Sequence, residues 1–204
     1  FELSLQNLNT IQPSNELASY GAEIAKAYVY NKNFEMANKW LLFSENSLDD
    51  NRSLYDINSS KLLYNLSKVE DLENLSSTLF DNLKFMNNSL IDKNNLNFII
   101  QNEILYVIFS ILSNESDNLF KVEKKIFEER QMPSLFMINK IRKAIVDKNN
   151  SNILLSIIVS LDGKKWKEVH PEHFRLILIG LKEYKNGKLL NQVLLEILKQ
   201  SSII

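Results

Sequence analysis

Apolar residues return at steps of three and four along nearly the whole chain, and no stretch sustains an alternation of period two. That rhythm paints one apolar stripe on each of a series of helices and argues against strands. Chain breakers are scarce, with 4 Gly and 3 Pro in 204 residues. Sheets and barrels need turn residues at close intervals, whereas helices joined by short polar loops do not. The expected fold class is all-α.

The stripe Leu17, Tyr20, Ile24, Ala27 and Tyr28 predicts a first helix over 15–31, with Ser14 as N-cap directly after Pro13. Asn31-Lys32-Asn33 is a tight polar turn, and a second helix follows over 34–46. Further helices are predicted over 52–67 and 69–85, then a polar loop over 87–95. The segment 96–113 is the most apolar and is expected at the centre of the molecule. An amphipathic stretch over 119–129 precedes Pro133. Ser134 can cap a helix over 135–147, and another covers 153–161, stopped by Asp162-Gly163. Trp166 lies in a connection. The last two helices occupy 172–184 and 188–200, parted by Asn186-Gly187. The total is about ten helices with short loops, the pattern of an α-solenoid or of an irregular bundle. No linker rich in Pro, Gly or Ser divides the chain, so a single helical-repeat domain over 1–204 is expected. Its best internal boundary is 87–95.

The opening hairpin, about residues 17–50, resembles a tetratricopeptide repeat. Ile24, Ala25 and Tyr28 stand at the family's Leu, Gly and Tyr positions. Ala37 takes the Ala of the second helix, Leu41 its Phe, and Phe34 the aromatic between the helices. The sequence departs from the family at Gly21, where a Trp opens the repeat, and at Asp49, where a Pro closes it. The resemblance implies a right-handed α-solenoid of antiparallel helical hairpins. Small residues at Ala25 and Ala37 would then admit close helix approach, and Tyr28, Phe34 and Leu41 would fill the gap to the next hairpin. A second copy could be echoed by Tyr64 and Leu79, without small residues at the crossing.

Several chemistries find no support. The chain holds 0 Cys, which excludes disulfides, thiolate metal sites and cysteine nucleophiles. The glycines at 21, 163, 180 and 187 are scattered, so no phosphate-cradling loop is present. His170-Pro171-Glu172-His173 could suggest a metal site, but it does not match the zinc-hydrolase pattern. A helix start, with Pro first and Glu beside the positive dipole end, accounts for the same residues. The longest uninterrupted apolar segments fall short of the roughly 20 residues that span a bilayer. The chain begins at Phe1 rather than Met, as a processed form or a fragment would, and shows no signal peptide. A soluble protein of the cytoplasm or periplasm is expected.

The net charge of −1 conceals an acidic first half and a basic second half. Between Lys140 and Lys188 basic residues outnumber acidic ones, most densely at Lys164, Lys165, Trp166 and Lys167. Lysines around an aromatic could meet phosphate and a stacked base, yet the slightly acidic whole argues against nucleic acid. The expected activity is that of a protein–protein interaction scaffold, not an enzyme, with no catalytic residue, metal or cofactor. A peptide or helix would lie in the concave groove, against Glu23, Lys26, Tyr30 and Asn31. A helical accessory domain of a larger enzyme, or a structural subunit of an assembly, is the alternative.

Overall fold

A computed structural model describes residues 11–47, 51–68, 81–83, 85–86, 96–112 and 130–204. Every regular element among them is a helix. Most of the helix expected over 69–85, the loop and boundary at 87–95, and the segment 119–129 lie outside the described residues, as do Asp49 and Leu79. The described helices belong to two compact units.

The first unit holds α1 (Gly21–Tyr30), α2 (Phe34–Ser47) and α3 (Asn51–Lys68). Helical residues 81–83 and 85–86 add Leu83 and Met86 to its core. α1, α2 and α3 each pack against the other two. The predicted first helix is split: Asn15–Tyr20 is a 3-10 helix, and α-geometry begins only at Gly21. Ser14 stands at its N-cap position, but its side chain caps nothing. Gly21 explains why α1 begins where it does. A Cβ there would overlap Ser44 Oγ and lie 3.4 Å from the Trp40 ring, so glycine brings the backbone of α1 directly onto α2. Behind it Ala25, Tyr28, Ala37, Trp40 and Leu41 are all buried. Phe34, expected inside, is only half-buried and meets Tyr64 of α3 edge-on at 6.0 Å. At the crossing of α1 and α3, Ser60 Oγ lies 3.0 Å from the Ala22 carbonyl and 2.9 Å from the Asp56 carbonyl, which share its one proton. Burial pushes the Tyr55 phenol on α3 up to about 12, with the Asp56 carboxylate adding to the rise.

The second unit holds α4 (Leu96–Leu112), α5 (Leu135–Val146), α6 (Asn150–Leu161), α7 (Pro171–Glu183) and α8 (Gly187–Gln200). A 3-10 turn, Trp166–Glu168, links α6 to α7 and packs on α8. The most apolar segment, α4, was expected at the centre. α4 is buried through Ile104, Leu105, Val107, Ile108, Phe109 and Ile111, and among the described elements α7 packs against α4, α5, α6 and α8. Gly180 lets α7 approach closely, so that a Cβ there would meet Ile157 at 3.1 Å, Ile153 at 3.4 Å and Ile145 at 3.6 Å. Two polar ties hold helix ends: Gln101 Nε2 donates to the Ser201 and Ser202 carbonyls, and Lys182 Nζ donates to the Ile111 carbonyl at 2.6 Å.

One turn recurs in three hairpins. Lys32, Lys148 and Lys185 each take left-handed backbone (φ 58, 51 and 57) and each is followed by an Asn. Asn33 Oδ1 accepts from Met36 N–H, Asn149 Oδ1 from Asn152 N–H, and Asn186 Oδ1 from Leu189 N–H, at 3.0–3.2 Å. A single Lys-Asn pair thus ends one helix and caps the next, and each Asn cap contributes about 1 kcal/mol. The Asn149 cap also starts α6 at Asn150, three residues before the predicted start.

Candidate functional site

On α1, Glu23, Lys26 and Tyr30 are spaced i, i+3 and i+7, which sets them on one face. The opposite side is buried through Ala22, Ala25, Tyr28 and Val29. Lys26 Nζ lies 3.7 Å from Glu23 Oε1, its stem laid along the helix while the carboxylate stands well exposed. Tyr30 is exposed, and Asn31 closes the helix through its N–H to the Ala27 carbonyl at 3.1 Å. Glu23, Lys26 and Tyr30 thus form one strip ending in an aromatic, and Asn31 follows as the C-cap.

Lys164, Lys165, Trp166 and Lys167 belong to the other unit. The Glu168 carboxylate accepts from the Lys165 backbone N–H at 3.0 Å, and Glu168 N–H returns to the Lys165 carbonyl at 2.9 Å. Lys165 and Lys167 project into solvent. Trp166 is half-buried, with its ring 6.1 Å from that of the buried Phe174 in an edge-on contact. The aromatic amid the lysines anchors the connection to α7 (Pro171–Glu183).

The two histidines serve separate tasks. His170 is the N-cap of α7, where its Nδ1 accepts from Glu172 N–H at 3.2 Å, and Pro171 takes the first helical position. His173 is fully buried, with Nε2 2.9 Å from Ser160 Oγ on α6. Ser160 Oγ also donates to the Ile157 carbonyl at 2.8 Å. With its one proton spent there, the serine accepts from His173 Nε2–H. In this arrangement the imidazole donates to the serine, the reverse of the direction in a nucleophile–base pair. Burial pushes its pKa down to about 4, and the charges of Lys164 and His170 press the same way. Among the described residues no group of three or more His, Asp or Glu is placed to hold a metal ion. Nor is any helix among them long and apolar enough to cross a membrane.

Sequence reasoning passed over a set of outward aliphatic side chains on α5 and α6. Its only advance signal was the absence of any charged residue from 150 to 161. No family model, curated protein or solved structure matches the chain.

Proposed function

We propose that this protein is an interaction scaffold, a right-handed stack of tetratricopeptide-like helical hairpins that takes a peptide or a partner helix in its concave groove. The observation that carries the reading is the recurrence of one hairpin turn at Lys32-Asn33, Lys148-Asn149 and Lys185-Asn186. The step from Lys148 to Lys185 falls within the roughly 34–47-residue periods of helical-repeat families. Packing in the first unit supports the same reading. α3 lies against both helices of the opening hairpin, as the first helix of a following repeat would, and the small residues Ala25 and Ala37 are buried. The strip Glu23, Lys26 and Tyr30, followed by Asn31, then supplies the groove.

Two measurements test the reading. Small-angle scattering on the whole chain should give a radius of gyration clearly above the about 17 Å of a compact chain of this length; a value at that limit would sink the elongated stack. Peptides selected by display against the whole chain should lose about tenfold in affinity to the Tyr30→Ala and Glu23→Arg variants. Selected peptides indifferent to both substitutions, or no enrichment at all, would remove α1 as the binding face.

A further inference from the structure

α6 is apolar on both sides. Its 12 residues carry no charge. Inward, against its neighbours, it sets Ile153 and Ile157 together with two serines, Ser156 and Ser160. Outward it sets Leu155, Ile158 and Val159, which are 53%, 66% and 51% exposed. Large aliphatic side chains exposed together on one helix face ordinarily mark a surface that a partner covers. The hairpin turn brings the start of α5 beside the end of α6, and there Leu135 and Phe136 are also exposed, at 77% and 73%. Further along the exposed side of α5 lie Lys140 and Lys143, one turn apart, and Arg142 is exposed on the other flank of the same helix. Between 134 and 165 the acidic residues are Asp147 and Asp162, each at the C-terminal cap of its own helix. The surface is thus an aliphatic strip on α6 with a cationic border on α5.

We propose that the outer face of the α5–α6 hairpin docks an acidic amphipathic helix of a partner protein. Its aliphatic side chains cover Leu155, Ile158 and Val159, and its carboxylates meet Lys140 and Lys143. Two antiparallel helices leave a groove between their ridges into which a third helix fits. The one-sided charge sets the polarity of the border such a helix needs. A membrane surface fits less well, because residues 134–162 contain no Trp or Tyr, the side chains an interfacial site favours. Pairing with the same face of a second copy would bring the cations of α5 close to one another. This face is distinct from the α1 strip, so either assignment can fail without the other.

The test uses the full chain and two labelled probes read by fluorescence anisotropy. Both are helical peptides with Leu at every a and d position, one flanked by Glu and the other by Lys. The Glu probe should bind at least about tenfold tighter than the Lys probe, with the margin shrinking as salt rises. Ile158→Glu should weaken the Glu probe by about tenfold or more, and Lys140→Glu with Lys143→Glu should turn the preference towards the Lys probe. Glu196→Arg, at an exposed position of α8, should change neither. All these positions are solvent-facing, so the variants keep their fold, checked by circular dichroism. The proposal is overturned if neither probe binds, if both bind equally, or if Ile158→Glu has no effect. Equally fatal would be binding to phosphatidylserine vesicles, or a dimer in sedimentation, that Ile158→Glu abolishes.

Discussion

Trp40→Ala is expected to destabilise the protein by about 3–5 kcal/mol, the range for emptying a large aromatic site in a core. Trp40 is fully buried where α1 (Gly21–Tyr30) crosses α2 (Phe34–Ser47), with Phe43 edge-on at 6.1 Å and Gly21 against its ring. The site has little means of collapse. Gly21 has no side chain to move into the space, and Ala25 and Ala37 nearby are small and already buried. Trp40→Phe should cost distinctly less, since a ring remains. Urea denaturation followed by circular dichroism measures both, and a loss below about 1 kcal/mol for the alanine variant would mean that the hairpin is not packed around this ring.

The second large effect is a pH dependence carried by His173. In the unfolded chain its imidazole titrates near 6.5, whereas in the folded protein burial against Ser160 brings it down to about 4. Between those values the unfolded state binds more protons, so stability falls as the pH falls. The contribution is complete above about pH 6.5 and is lost by about pH 4, a change of about 3 kcal/mol. His173→Gln keeps a donor for Ser160 and cannot charge. Its stability should therefore decline less than the parent's between pH 6.5 and pH 4, the carboxylates being common to both. Identical pH profiles for the two proteins would show that His173 titrates normally and is not sealed in the core.

Much of the local structure was legible in the sequence. The turn at Asn31-Lys32-Asn33, the cap at Ser134 and the helix start at His170-Pro171 stand where short-range chemistry puts them. Each rests on hydrogen bonds spanning only a few residues. The recurrence of Lys-Asn was present in the sequence too, but an abundance of asparagine hid it: 26 residues in all, few of which are known to cap a helix. Ser60 was missed as a crossing residue because the family pattern directs attention to Gly and Ala, while a serine can be both small and hydrogen-bonded. Of the four residues assigned to the opening hairpin, Glu23, Lys26 and Tyr30 share a face, which helical spacing alone ensures, while Asn31 is the C-cap that ends α1. Trp166 was offered as a stacking surface, and its half-buried ring also meets Phe174 edge-on, a contact between two elements that spacing cannot register.

What the sequence determined by itself is the helical class and most helix boundaries, because periodicity, caps and breakers act within a turn or two of chain. Tertiary structure decided how closely helices approach: among the described residues Gly180 brings α7 (Pro171–Glu183) onto Ile153 and Ile157 of α6, a fit that hydropathy does not register. It also decided which of two neighbouring histidines is buried, and which side of an uncharged helix faces outward. Those outcomes depend on what lies across the contact: the run 150–161 has no charge to orient it, and its polar stripe through Ser156 and Ser160 turns inward rather than to solvent.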